Sequence, residues 1–324
     1  LTIGGALAFA GGMFGMALAP TAVLVMGLFA LVLPTSLILS GPLMAQTLVA
    51  RHFTERRGMA LGICSLGTSF GGLIMPPLIT TLLKDYDWRA VMMMLGGVGA
   101  ALLIVPAVFL LRPQANAGTA PAHRRGNLLS LMTNPQVLMM ALAYLGPAAI
   151  FLALLHNIGA FAADLAISQQ HAGVVVSATS LMMIAAKFSV GALADRVSHT
   201  TLYFTLLTAI TVGILLIVGV GNAWALTIGV PIAGLSMGMM PLTAAMIARR
   251  FGPEQFGSVM GVILAIASLA GLAPAAAGLL REISGSYASA FTYLLALLIP
   301  AVLCFLALIR MPVMAAPAQQ PVAA

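Results

Sequence analysis

Apolar residues run almost without interruption along this chain, and the breaks between the runs fall at charged or Pro/Gly-rich stretches. The runs cover about 1–18, 22–48, 58–83, 89–111, 136–162, 171–192, 200–219, 223–248, 257–280 and 287–310. Each approaches or exceeds the roughly 20 residues that a helix needs to cross a bilayer. They are continuously apolar, whereas the strands of a membrane barrel are shorter and alternate every second residue, so the pattern predicts ten spanning helices. The 33 Gly and 18 Pro residues fit this reading, because spanning helices tolerate both and use small residues for close packing.

Composition narrows the function class. Of 324 residues 61% are hydrophobic and 6% charged, with a mean hydropathy of +1.11. A soluble domain carries about a quarter charged residues, so a soluble enzyme and a disordered protein are excluded. The net charge of +7 would suggest a nucleic-acid partner in a soluble protein. Here the basic residues sort by side. Arg51, Arg56, Arg57, Arg112, Arg124, Arg125, Arg196, Arg249, Arg250 and Arg310 fall on one set of alternate connections, and Lys84, Arg89 and Arg281 on the other. By the positive-inside rule the larger set is cytoplasmic, and with it both chain ends. The expected location is a cell (inner) membrane, and no nucleic-acid partner is expected. Cys64 and Cys304 sit in apolar runs without metal or redox spacing. There is no G-x-x-x-x-G-K-[ST] phosphate loop and no convergent acid, His or metal cluster, so neither a cofactor, a metal, a catalytic site nor an ATP motor is expected. The chain starts at Leu1 and lacks a signal-peptide pattern, which predicts a missing true start.

The longest connection, 112–135, divides the spans four to six and invites a search for a repeat. RHFTERRGMALGI from Arg51 has a counterpart in RRFGPEQFGSVMGV from Arg249. Beyond one inserted residue the two copies keep an offset of 199, pairing Gly58 with Gly257, Gly62 with Gly261, Ser69 with Ser268, Gly72 with Gly271 and Trp88 with Tyr287. The expected organisation is an N-terminal bundle over 1–111 lacking its first two helices, a cytoplasmic loop over 112–135, a six-helix bundle over 136–311 and a disordered cytoplasmic tail over 312–324.

Two motifs carry a family resemblance. GALADRVSHT, Gly191 to Thr200, resembles the G-x-L-a-D-R-x-G-r-r loop of the major facilitator superfamily. In it Gly191 permits close helix approach, Asp195 can accept hydrogen bonds from a helix N-terminus, and Arg196 can bridge carboxylates. Ser198 replaces the usual Gly, and a weaker turn is expected there. HFTERRGMALGICSLGTSFGG, His52 to Gly72, resembles the F-x-x-R-R-x-x-A-x-G-x-x-x-x-G signature of monocarboxylate transporters and their bacterial relatives through Phe53, Arg56, Arg57, Ala60, Gly62 and Gly67. DYDWRAV, Asp85 to Val91, resembles the segment that follows in that family. The resemblance implies an all-α membrane protein of the major facilitator fold, with 10 of 12 transmembrane helices present (4 + 6). It points to the bacterial monocarboxylate-transporter-like or oxalate–formate-exchanger-like branch. Implied function is secondary active transport of a small organic anion, with protons as a second substrate, by a monomer that exposes its site alternately to the two sides. A drug or metabolite exporter is the runner-up, and a membrane-embedded sensor or enzyme ranks below it.

Polar groups inside the spans are the candidate site. A charge in hydrocarbon costs at least about 2.5–3.5 kcal/mol, and Lys187 is the clear case, one turn before Gly191. An ammonium facing a water-filled cavity would attract an organic anion; the alternative is a Lys snorkelling to the nearby surface. In the resembling carriers a basic residue, usually Arg, holds this position and binds the substrate carboxylate. His156, Asn157 and Tyr144 share one span and could bind substrate, His156 also protons; interhelical hydrogen bonding is the alternative. Gln46, Ser36 and Ser40 are weaker candidates. Asp164 reads as a solvated helix end. The Met92, Met93, Met94 and Met237, Met239, Met240 clusters read as adaptable packing. Gly191, Asp195 and Arg196 are expected to form a cytoplasmic latch with Glu55, Arg56, Arg57 and the N-terminus of the segment starting at Gly58.

Overall fold

A computed structural model describes residues 2–53, 57–109 and 128–312, and among them all regular structure is helical. The first helices are α1 (Thr2–Leu18), α2 (Ala22–Ser40), α3 (Pro42–His52), α4 (Arg57–Asp85) and α5 (Trp88–Phe109). After a short α6 (Leu128–Met132), which falls within the stretch read as a loop, come α7 (Pro135–Asp164), α8 (Gln169–Leu193), α9 (His199–Val220) and α10 (Ala223–Gly234). The last are α11 (Met239–Ala267), α12 (Ala273–Ser284), α13 (Tyr287–Leu294) and α14 (Leu298–Arg310).

Eight helical stretches among the described residues are long and apolar enough to cross a membrane. The other two expected spans fall on shorter apolar helices, Ile3–Leu18 and Met59–Met75, the second lying inside the 29-residue α4. Residues 112–127 and 313–324 of the expected organisation lie outside the described residues.

The chain forms two compact units, one of residues 1–48 with 71–125 and one of 49–70 with 126–324. In the first, α1 packs between α2 and α5. In the second, α7 is the hub, packed against α8, α11, α12, α13 and α14, while α10 lies along α8 and α9. Close approach of α9 and α10 needs small residues. A Cβ on Gly213 would stand 2.5 Å from the Gly229 carbonyl oxygen, so the two backbones touch.

Pro147 interrupts α7 and, having no N–H, leaves the carbonyl of Ala143 without its helical donor. Buried Tyr203 of α9 supplies one, its hydroxyl donating at 3.0 Å to the Ala143 oxygen and shared at 3.2 Å with the Ala301 oxygen of α14. Its ring stacks on Phe305 at 3.6 Å. A single side chain thus ties three helices and satisfies a carbonyl that hydrocarbon could not.

The connections of this unit are short because each stops one helix and starts the next within a few residues. Gly221 (φ 60°) and Gly285 (φ 81°) end α9 and α12 in the left-handed region. Asn222 and Ser286 then cap the following helices through the amides of Ala225 and Ser289. Ser198, where a weaker turn is expected, instead caps α9 by accepting from the Thr201 amide at 3.1 Å. The 199-residue repeat reappears in helix ends: α4 stops at Asp85 and α12 at Ser284, and α5 starts at Trp88 and α13 at Tyr287.

After α7 the left-handed position is taken by Ala166 (φ 54°), with the Ile167 amide donating to the Ala162 oxygen at 2.8 Å and the Ala166 amide to the Ala163 oxygen at 3.0 Å. This is a Schellman end without its glycine, and the left-handed conformation costs an L-residue roughly 1–2 kcal/mol. Ala166→Gly is therefore expected to raise the thermal midpoint in detergent, by an amount equivalent to about 0.5–1 kcal/mol after the added freedom of the unfolded chain is subtracted.

Candidate functional site

The first third of α4 and the last half of α8, both in the second unit, run antiparallel: residue numbers rise on one as they fall on the other through three contacts. At one end the Met59 amide, in the first turn of α4, donates to Asp195 Oδ2 at 3.2 Å. A carboxylate at a helix N-terminus satisfies an orphan donor and meets the positive end of the helix dipole. Next, Gly62 and Gly191 cross so closely that a Cβ on Gly62 would lie 2.7 Å from Gly191 Cα and 3.0 Å from the Lys187 carbonyl oxygen. One turn further along α8, Lys187 Nζ donates to Thr68 Oγ1 at 2.6 Å.

Lys187 is 4% exposed, so it does not snorkel. Among the described residues the Thr68 hydroxyl is its one polar partner, and no carboxylate pairs with it. Thr68 Oγ1 in turn donates to the Ser65 carbonyl at 3.0 Å, so its single hydrogen is committed and a lone pair faces the ammonium. An ammonium has three donors; two are left without an acceptor among the described residues. Next to Thr68, the hydroxyl of Ser69 is buried and has no hydrogen-bond partner among the described residues. A buried charge with spare donors is costly to keep, so in hydrocarbon it calls for an explanation. An apolar hollow of this unit, lined by Leu142, Gly146, Leu269, Leu272 and Leu297 among others, presents no charged side chain to an anion.

The other candidates sit elsewhere. His156 is exposed on α7, its Nδ1 donating to the Leu152 carbonyl at 2.9 Å, which leaves Nε2 as the acceptor nitrogen. Asn157 Nδ2 donates to the Ala153 and Pro274 oxygens at 2.9 and 3.1 Å, and Oδ1 accepts from Tyr287 at 3.2 Å, so it joins α7 to α12 and α13. Tyr144 is half-buried on α7. No hydrogen bond among the described residues joins any of the three to Lys187. Arg196 is exposed and has no ion pair among the described residues. Glu55 and Arg56 lie outside the described residues, and of Arg57 only its backbone, opening α4, is described. Ser36 and Ser40 donate to carbonyls of their own helix, and Gln46 is buried.

Asp164 is exposed at the end of α7, as expected, and is paired as well. It receives Arg281 Nη2 at 2.7 Å on Oδ1, and Arg281 Nε at 3.4 Å together with the Tyr287 amide at 3.3 Å on Oδ2. Its carboxylate therefore caps α13 and clamps it to α7 and α12.

Thr68 escaped the sequence reading because a Thr within a span ordinarily bonds its own helix. A usable signal exists: pairing Gly62 with Gly191 in an antiparallel crossing sets Lys187 against residues one to two turns beyond Gly62.

A family model described as the Major Facilitator Superfamily matches residues 1–162 and 137–324. Human monocarboxylate transporter 11 is 28% identical over 260 residues, covering 75% of this chain and 54% of its own length. The agnestins efflux protein of Paecilomyces divaricatus is 27% identical over 246 residues, 70% of this chain and 52% of its own length. The chain thus spans about half the length of these relatives. The crystal structure of the human organic anion transporter MFSD10 superposes with a TM-score of 0.75 at 16% identity, covering 94% of this chain and 76% of that one. This likeness is one of fold.

The crossing yields a paired expectation. Gly62→Ala forces α4 off α8 and lowers the thermal midpoint by the equivalent of about 1–3 kcal/mol. Gly67→Ala, whose methyl meets nothing within 4 Å, leaves it unchanged or slightly raised.

Proposed function

The chain belongs to the Major Facilitator Superfamily, a family of transporters and not of enzymes, and from that premise we propose that it carries a small monocarboxylate-like anion across a cell (inner) membrane, with Lys187 as the anion-binding group. One observation carries the reading: a 4% exposed ammonium held by a single hydroxyl, with spare donors and no carboxylate partner among the described residues. An incoming carboxylate supplies the missing charge and acceptors together, so binding relieves the cost of keeping the ammonium in the membrane. Lys in place of the resembling carriers' Arg keeps the charge but gives up the bidentate fork, which suits a small substrate recognised as a point charge. The names of the monocarboxylate and organic anion transporters among the similar proteins support this class.

In this reading His156, exposed with an open Nε2, is the proton-accepting group of the pathway. Tyr144 lies three turns earlier on the same helix, and Asn157 holds that helix in place. Asp195 with Gly191 closes the α4–α8 contact as a cytoplasmic latch, aided by Arg196 and by Glu55, Arg56 and Arg57 of the facing segment, when the site is open to the outside. Rocking of two bundles then opens it to the other side. The name of the fungal efflux protein favours a second reading, export of a larger metabolite; a metabolite exporter would transport lipophilic compounds and leave short carboxylates untouched.

Uptake of labelled short carboxylates into vesicles, with and without a pH gradient, tests both. Lys187→Ala is expected to lose roughly 10–100-fold in kcat/KM, the value of a hydrogen bond to a charged group, and Lys187→Arg to retain part of the activity. Unchanged uptake by Lys187→Ala overturns the anion site. Asp195→Asn is expected to slow transport several-fold with little change in substrate binding; equal losses in both argue against the latch.

A further inference from the structure

We infer that Thr68 is a positioning residue that parks the Lys187 ammonium, and that anion binding breaks the Lys187–Thr68 bond and thereby loosens the α4–α8 contact. This rests on the reading of Lys187 as the anion-binding group and adds to it a device that links occupancy to movement.

Parking and binding compete for the ammonium. Lys187 as a residue is 4% exposed, and its Nζ stands 2.6 Å from the Oγ1 of Thr68, itself an exposed residue. An arriving carboxylate competes with Thr68 for this ammonium, and the side chain leaves Thr68 to meet it. The exchange is favourable in sign, because a charge-assisted hydrogen bond is roughly twice as strong as one to a neutral acceptor.

Thr68 is built to receive an ammonium and not the anion. Its hydroxyl hydrogen is given to the Ser65 carbonyl, so Oγ1 turns only lone pairs toward Lys187 and repels a carboxylate. The Ser65 hydroxyl is likewise committed, donating to the Leu61 carbonyl at 2.8 Å. An anion arriving at this place therefore has one cation to bind and no hydroxyl donor from Thr68 to hold it against α4.

Position then supplies the mechanical link. Three contacts join the two helices in a row: the Asp195 cap on the Met59 amide, the Gly62–Gly191 crossing and the Lys187–Thr68 bond. The last lies farthest from the capped end and is the one of the three that a substrate can remove. With it gone the Gly crossing and the cap remain of these three, so substrate occupancy weakens the contact from one side.

The test uses the full-length protein in lipid nanodiscs with pyruvate as probe and chloride as control. Equilibrium binding is measured alongside hydrogen–deuterium exchange of peptides spanning 59–70. In the wild type pyruvate is expected to raise exchange in these peptides. Thr68→Val, which keeps the shape and removes the acceptor, is expected to bind pyruvate about tenfold more tightly, to show raised exchange without pyruvate and to lose the response. Its kcat and KM fall together. Thr68→Ala, a second removal of the hydroxyl, behaves the same way, and Thr68→Ser restores wild-type behaviour. Wild-type affinity and a wild-type exchange response in both Thr68→Val and Thr68→Ala overturn the parking role while leaving Lys187 as the anion site. Retained pyruvate binding in Lys187→Ala overturns the reading on which it rests.

Discussion

Lys187 is kept as an ammonium inside a membrane-spanning helix, with a single hydroxyl to hold it among the described residues. That cost shapes its surroundings. Lys187 must lie where a second helix comes near enough to shield it, which requires α8 to approach α4 at backbone distance. Gly62 and Gly191 make that approach possible, and Asp195 secures it by capping α4. Loss of any one of these leaves the charge bare or moves the helix that covers it.

The remainder of the second unit is tied together by paired contacts. Tyr203 ties α7, α9 and α14 in the interior, and Asp164 with Arg281 and Asn157 with Tyr287 tie α7, α12 and α13. Each hydrogen bond in that set has its donor and acceptor matched. At Lys187, and at the buried hydroxyls of Ser69 and Ser236, partners are missing among the described residues; of these Lys187 carries the charge, and its unmatched donors are the costliest to keep.

Much of this was legible in the chain. Continuous apolar runs specify spanning helices, because nothing else satisfies the backbone in hydrocarbon, and the 199-residue repeat survives as matched helix ends. Lys187 stood out for the same reason it matters, as a charge among apolar residues. What stayed hidden depends on pairs. Thr68 is unremarkable until α4 lies across α8, and the exposed Asp164 shows no partner until Arg281 and the Tyr287 amide converge on it. Ser198 departs from the resembling loop and reads as a weakness, yet its hydroxyl performs a cap that the usual glycine cannot provide. A motif records which residues are common at a site; the local hydrogen-bond account decides whether an uncommon one fits.

The proline of α7 has a consequence for how this fold can vary. Pro147 frees the Ala143 carbonyl, and Tyr203, two helices away in the chain, meets it. Losing the tyrosine hydroxyl first strands a bare carbonyl in the interior. Losing the proline first restores the helical donor and leaves the hydroxyl with Ala301 alone. The viable path between the two arrangements is therefore one-directional: the proline must go before the tyrosine, and in the reverse passage the tyrosine must arrive before the proline. Two positions 56 residues apart are bound to an order of substitution that neither position reveals by itself.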